Sequence, residues 1–141
     1  MSLTNLANAL SALGQYQPAL AAVEEAVTIF RELAAQRPDT FQPNLAVSLA
    51  VRANCLDVLN PADALATDLE AIKTLSSAFV QRPAAFGHWM GSMVQQYRER
   101  CERVGQTPNT ELLGPILVAL GEQRAFRQPR APLGFGDTAW F

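Results

Sequence analysis

The feature that most constrains this chain is an internal repeat of about 45 residues. A six-residue motif occurs twice, as Gln36-Arg37-Pro38-x-x-Phe41 and as Gln81-Arg82-Pro83-x-x-Phe86. A second pattern recurs about 46 positions later: Ser2, Leu3, Asn8, Leu10 and Leu13 return as Ser48, Leu49, Asn54, Leu56 and Leu59. Repeats of this length are typical of stacked arrays, in which each unit contacts its neighbours and the array presents an extended surface. The sequence therefore favours an array of like units.

Apolar residues recur at steps of three and four in six segments, which predicts an all-α fold of six helices in three antiparallel pairs. The predicted helices cover about 3–13, 18–36, 43–59, 64–81, 86–104 and 110–120. Gly14 and Gly105 are expected to end helices as left-handed caps, and Asn60 is expected to take the role of Gly14 in the second pair. Gly114-Pro115 is expected to kink or delay the last helix.

These helices form one predicted repeat domain, residues 1–123, followed by a tail. The three units cover about 2–38, 39–83 and 84–123, and residues 124–141 are rich in proline, glycine and aromatics without a helix or strand period. The tail carries the candidate anchor residues Phe135, Trp140 and Phe141. Because burying a large aromatic side chain is worth ~2 kcal/mol or more, we expect the tail either to fold back over the last helix pair or to dock on another molecule.

Composition narrows the class of partner. The net charge of −2 is too small to indicate a nucleic-acid or acidic-membrane partner, and the arginines Arg124, Arg127 and Arg130 do not make the broad basic patch that nucleic acid requires. The sequence has no membrane-length apolar run and no signal-peptide pattern, so we expect a cytoplasmic protein. Cys55 and Cys101 are expected to be free, buried thiols, with a disulfide as the alternative.

The aligned repeats resemble the tetratricopeptide repeat family. The first unit carries the family's leucine and small-residue stripe, its turn glycine and its tyrosine: Leu3, Leu6, Ala7, Leu10, Gly14, Tyr16, Ala19, Val23 and Ala26. The second unit fits in part, with Asp68 where the family has a large apolar residue, and the third departs after Gly105. The period exceeds the 34 residues of the basic repeat and is similar to the lengthened bacterial variety. The resemblance implies a short right-handed α-solenoid of about three pairs.

The resemblance also implies a concave groove lined by the first helix of each pair. The groove residues carried over are Thr4, Asn8, Ser11, Asn54, Asp57, Gln95 and Glu99. The amides of Asn8 and Asn54 could hold the backbone of an extended peptide, since an amide both donates and accepts. The alternative is that these asparagines bond neighbouring helices within the array. A clamp for acidic C-termini is not expected, because Thr4 and Ala50 stand where the family's lysines would be.

Catalytic chemistry is not indicated. His88 is the only histidine and has no companion at metal-ligand or catalytic spacing. Glu24 and Glu25 are adjacent and point apart on a helix, and the charges from Arg98 to Arg103 are interpreted as a solvated face with local ion pairs. We therefore expect no enzyme activity, no cofactor and no metal.

Three functions are compatible with these observations. The leading hypothesis is a non-enzymatic protein-interaction module, a scaffold or adaptor, that binds a partner peptide or helix through its concave face. The second is a self-associating structural module that forms a homo-oligomer through its apolar ends and aromatic tail. The third is a regulatory domain, or a fragment, of a larger signalling or proteolytic system.

Overall fold

Six α-helices account for nearly all of the chain that the computed structural model describes, residues 2–125, with side chains described for residues 2–121. The helices are α1 Leu3–Ala12, α2 Tyr16–Gln36, α3 Pro38–Leu59, α4 Pro61–Gln81, α5 Pro83–Val104 and α6 Thr110–Ala125. No strand occurs in this range. Each helix packs against the next along the chain, and α1 also packs against α3. The prediction of an all-α fold with a repeat-like packing of helices is confirmed.

Single residues connect the four central helices, and the repeated motif of the sequence lies at two of these joints. Arg37 joins α2 to α3 with φ −137° and ψ 76°, and Arg82 joins α4 to α5 with φ −136° and ψ 70°. In each case a proline follows as the first residue of the next helix. Proline is favoured there, and it pushes the preceding residue out of the helical conformation. The same local chemistry therefore produces the same backbone turn twice.

Asn60 makes the third single-residue joint, and the prediction that it substitutes for Gly14 is wrong. Its backbone is extended, at φ −156° and ψ 85°, and its side-chain oxygen accepts a hydrogen bond from the Asp63 amide at 3.2 Å. Pro61 explains the difference, because the residue before a proline is held in the extended region. Asn60 is thus the N-cap of α4, a role that asparagine fills well.

The two glycine ends are confirmed. Gly14 has φ 78° and Gly105 has φ 74°, the left-handed region that favours glycine. The amide after each glycine bonds back over the end of the helix: Gln15 N lies 2.9 Å from the Leu10 carbonyl oxygen, and Gln106 N lies 2.9 Å from that of Cys101. These bonds satisfy carbonyl groups that a helix end leaves without partners.

Three predicted helix starts need correction because prolines are tolerated near helix N-termini. α3 begins at Pro38 rather than near Pro43, and α5 begins at Pro83 rather than at Phe86. Pro43 is buried inside α3 as its sixth residue, and Pro115 is the sixth residue of α6, which runs without interruption from Thr110. α4 likewise begins at Pro61 rather than at Ala64, whereas Pro18 lies in the first turn of α2 as predicted. Each internal proline lacks the amide donor of one helical hydrogen bond, but the other hydrogen bonds of the helix still form.

The core runs along the array as one large cluster and one small cluster. The large cluster joins α2 to α6 around fully buried residues such as Leu49, Ile72, Leu75, Phe79 and Met90. The small cluster joins α1, α2 and α3 through Ala7, Ala19, Ala22, Val23, Val51 and Cys55. Both cysteines are free and buried, as predicted. Small residues dominate where α1 meets its neighbours, which lets these helices approach closely.

α1 is much shorter than its counterparts: it has 10 residues, whereas α3 and α5 have 22 each. Near its N-terminus, Thr4 Oγ1 lies 3.1 Å from Ser48 Oγ in the middle of α3, and both side chains are buried. Within residues 2–125, the N-terminal half of α3 therefore has no part of α1 beside it. The site described next lies on this part of α3, beside the N-terminus of α1.

Candidate protein-interaction face

The predicted groove residues on α3 lie together, and their polar atoms contact α5. Asn54 Oδ1 accepts from Gln96 Nε2 at 2.6 Å and from Arg100 Nη2 at 3.2 Å. Asp57 Oδ2 accepts from Arg103 Nη1 at 2.8 Å. The contacts of Asn54 are those expected of an asparagine that bonds neighbouring helices, which was the alternative to peptide binding.

The predicted groove residues on α1 differ from those on α3. Thr4 is buried against Ser48, and Ser11 is half-buried. Asn8 is half-buried and makes no side-chain hydrogen bond within residues 2–125. Its amide therefore has hydrogen-bonding capacity that its repeat equivalent, Asn54, has already used.

The predicted groove residues on α5 contact each other. Gln95 Nε2 donates to Glu99 Oε1 at 3.1 Å, one helical turn away, and Glu99 is exposed. Within the described residues, neither side chain makes a hydrogen bond or an ion pair to another helix. These two residues remain available at the surface of α5.

A buried ion pair lies beside these residues, and sequence reasoning missed it. Arg100 is fully buried; its Nε donates to Asp68 Oδ2 at 2.6 Å and its Nη2 to Asp68 Oδ1 at 3.4 Å. Its Nη1 lies 2.7 Å from Asp57 Oδ1, a contact between charges without hydrogen-bond alignment. The interpretation of residues Arg98 to Arg103 as a solvated face is therefore wrong at Arg100. The neighbours of Arg100 along α5 are charged, but the side chains that Arg100 contacts lie on α3 and α4.

Burial and charge act in opposite directions on the two carboxyl groups of this cluster. Burial raises the pKa of Asp68 to about 6, and the adjacent Arg100 limits this rise. Burial also disfavours ionisation of Asp57, but the hydrogen bond from Arg103 and the close positive charge of Arg100 outweigh it and hold the pKa of Asp57 below its ordinary value. Burial lowers the pKa of Arg100, yet both carboxylates more than compensate, so its pKa is raised.

The repeat itself contains the signal that could have found this pair. Val23 on α2 and Cys55 on α3 belong to one apolar cluster, and the residues 45 positions later are Asp68 and Arg100. Two apolar residues of one cluster are thus replaced by two opposite charges. Comparing equivalent positions in pairs, rather than one at a time, would have predicted a charge pair between α4 and α5.

An apolar cleft lies beside the N-terminus of α1. It has a volume of about 180 Å³ and is lined by Ser2, Thr4, Phe30, Asn44, Val47, Ser48 and Trp89. Phe30 and Trp89 are half-buried and form walls of the cleft, and Asn44 is exposed at its rim. Trp89 is supported by Phe86, whose ring centroid lies 5.7 Å away. We call this site the Trp89 cleft. Sequence reasoning did not predict it, because its lining comes from helices that are far apart in the sequence.

A second cleft lies at the two arginine-proline joints. Its volume is about 130 Å³, and most of its lining is polar: Pro38, Asp39, Gln42, Ser77, Ala78, Gln81, Arg82 and Phe86. It is smaller than the Trp89 cleft and contains no pair of aromatic walls. It offers hydrogen-bonding groups but less apolar surface for an anchoring side chain.

Within residues 2–125 no cluster of three or more His, Cys, Asp or Glu side chains is arranged to hold a metal ion. No helix in that range is both long and apolar enough to cross a membrane. His88 is exposed. Burial raises the pKa of the Cys55 thiol to about 11, so this thiol is protonated and unreactive at neutral pH. The predicted anchor residues Phe135, Trp140 and Phe141 lie outside the described residues.

Comparison with known proteins gives no assignment. No family model matches the chain, no curated protein matches it, and no solved structure matches it. The resemblance to the tetratricopeptide repeat therefore stays a prediction from the residues quoted above.

Proposed function

We propose that this chain is a non-enzymatic protein-interaction module of the lengthened, bacterial tetratricopeptide type, acting as a scaffold or adaptor. It binds an extended partner segment on the side of α1, α3 and α5, with one large apolar side chain of the partner inserted in the Trp89 cleft. The Trp89 cleft is the observation that carries this proposal. Two buried, free cysteines suit a reducing compartment such as the cytoplasm.

The size of the cleft favours a single side chain as its occupant. Small-molecule sites typically have volumes of about 300–1,000 Å³, whereas the Trp89 cleft has about 180 Å³. A dry cavity of about 150 Å³ is large enough for one benzene ring. The cleft therefore suits one aromatic or branched aliphatic group better than a cofactor or metabolite.

The surroundings of the cleft favour a peptide. Asn44 at the rim carries both a donor and an acceptor, as a peptide bond requires. Asn8 on the neighbouring α1 has the same capacity and uses none of it within the described residues. An aromatic-walled pocket with polar groups at its rim is the usual composition of an interface centre.

Peptide display on the purified full chain tests this proposal. We expect the enriched peptides to share one large apolar residue. Asn44→Trp would fill the mouth of the cleft without removing a packed side chain, and we expect it to raise the Kd at least tenfold, or ~1.4 kcal/mol. Lys73→Trp is the matched control, since Lys73 is exposed on α4. Equal affinity of both variants, or no enrichment of an apolar residue, would contradict the proposal.

A further inference from the structure

The last helix, α6, can be aligned with α4 by their N-caps. Asn109 Oδ1 accepts from the Leu112 amide at 3.1 Å, as Asn60 Oδ1 does from the Asp63 amide at 3.2 Å. With the caps superposed, the residues of α4 that pack on its own partner helix correspond to buried residues of α6. The pairs are Ala64 with Leu113, Thr67 with Ile116 and Ala71 with Leu120, and all six are buried. This side of α6 is therefore packed into the core.

The other side of α4 packs against the following helix, α5, and its equivalent on α6 is exposed. On α4, Leu65, Asp68 and Ile72 lie one turn apart on one face, where Asp68 contacts Arg100 of α5; all three are buried. The equivalent residues of α6 are Gly114, Leu117 and Gly121. Leu117 is 39 % exposed, and the neighbouring Val118 is 63 % exposed. We call this surface the outer face of α6.

The outer face is apolar and, among the residues that the structure describes, nothing packs over its two glycines. Residues 112–121 include no charged side chain, and a helix that is apolar all round is normally buried. A Cβ atom built on Gly114 or Gly121 would meet nothing within 4 Å. The two glycines therefore leave room on either side of Leu117 for a bulky side chain.

The chain that follows α6 has the composition and the length to cover this face. Residues 126–141 include Leu133, Phe135, Trp140 and Phe141 and have prolines at 129 and 132. The face lies 4 to 11 residues before Ala125, which is ~6–17 Å along the helix axis. Sixteen residues of extended chain span up to ~50 Å, so the segment can reverse direction and still run along the whole face.

We propose that segment 126–141 folds back along the outer face of α6 in the same molecule and places its aromatic side chains against Gly114, Leu117 and Gly121. The occupant is the molecule's own tail rather than a second copy, because a segment tethered directly to α6 has an effective concentration in the millimolar range. The tail then covers the face of α6 that is equivalent to the face of α4 covered by α5. This inference is independent of peptide binding in the Trp89 cleft.

Tryptophan fluorescence tests the inference. The chain has two tryptophans, so Trp89→Phe leaves Trp140 as the only reporter. We expect the emission of Trp140 to be blue-shifted relative to a free tryptophan in water. Adding Val118→Lys should shift the emission to the red, whereas Val80→Lys should not. Val80 is the matched control, since it is a valine on α4 with 74 % exposure.

Three outcomes would overturn the inference. Emission typical of free tryptophan in the Trp89→Phe protein would show that Trp140 is not covered. An equal response to Val118→Lys and Val80→Lys would show that Trp140 is covered elsewhere. A blue shift that disappears on dilution, together with a dimer in sedimentation, would assign the face to a second copy. Circular dichroism confirms that each variant is folded, which is expected because both valines are exposed.

Discussion

The contact between α2 and α3 and the contact between α4 and α5 lie 45 residues apart in the sequence, yet they differ in chemistry at their centres. In the first, Val23 and Cys55 are part of a small apolar cluster. In the second, Asp68 and Arg100 form a buried ion pair with atoms 2.6 Å apart. The joints that lead into the two contacts have nearly the same backbone angles. The same helix arrangement thus accepts either an apolar pair or an ionic pair.

This difference is informative about specificity. A buried ion pair contributes little net stability compared with well-packed apolar residues, because both charges lose their hydration. It does penalise any packing in which one charge loses its partner. One helix contact of this chain is charged and its repeat equivalent is apolar. Pairing a helix of one contact with a helix of the other would therefore leave a buried charge without its partner. We interpret the ion pair as a device that fixes the order of the units.

The largest expected effect is the loss of one member of the ion pair. Arg100→Met leaves Asp68 buried without its guanidinium partner, and we expect the free energy of unfolding to fall by about 3–5 kcal/mol. Urea unfolding followed by circular dichroism measures this. Arg98→Met is the control, because Arg98 is exposed, and it should change the value by less than ~0.5 kcal/mol. Similar values for both variants would show that the contact is energetically unimportant.

Replacing both charges should reverse most of that loss. The double variant Asp68→Leu/Arg100→Met makes the second contact apolar, like the first, and leaves Asp57 paired with Arg103. We expect its stability to return to within about 2 kcal/mol of the original protein, since apolar replacements of buried ion pairs are often neutral or stabilising. A double variant no more stable than Arg100→Met alone would contradict this interpretation.

The two asparagines that the repeat makes equivalent should respond differently. Asn54→Ala removes the acceptor of Gln96 and Arg100, so we expect a loss of about 1–3 kcal/mol in the free energy of unfolding. Asn8→Ala should change it by less than ~0.5 kcal/mol. Thermal and urea unfolding of the two variants measure the difference. In the peptide-binding assay the order should be reversed, with Asn8→Ala weakening binding although it leaves stability unchanged.

The smallest expected effect is a pH dependence that comes from Asp68. Its pKa is about 6 in the folded protein against an ordinary value of 3.8, so the folded state binds a proton more tightly than the unfolded state. Its contribution to stability is complete below pH ~4 and is lost as the pH rises through 6, by about 1 kcal/mol between pH 5 and pH 6. Urea unfolding at several pH values should show this slope, and Asp68→Asn should abolish it. A slope that persists in Asp68→Asn would assign it to another group.

Local chemistry decided which parts of the fold were predictable. The joints at Arg37 and Arg82 were identified as helix ends because a proline constrains the residue before it, and Gly14 and Gly105 because only glycine takes their backbone angles readily. Asn60 was assigned wrongly for the same kind of reason, since the constraint from Pro61 outweighs the tolerance of asparagine for left-handed angles. These features depend on one or two neighbouring residues.

The candidate site is formed by residues that are far apart in the sequence, and local sequence patterns do not predict contacts between such residues. Arg100 has charged neighbours on α5, and its burial is caused by Asp68, which lies 32 residues away. The lining of the Trp89 cleft comes from four helices, α1, α2, α3 and α5. Only the repeat links such distant positions, and it does so when pairs of equivalent residues are compared.

The single-residue joints have a consequence for how the molecule deforms. Between α2 and α5 no connection contains more than one residue, and a proline follows each of them, so these four helices have no hinge at which one could swing away from the next. The connections at 13–15 and 105–109 are longer, and each includes a glycine in the left-handed region. A partner that pulls on the array should therefore meet a stiff central block, and amide hydrogen exchange should be fastest at the two outermost turns.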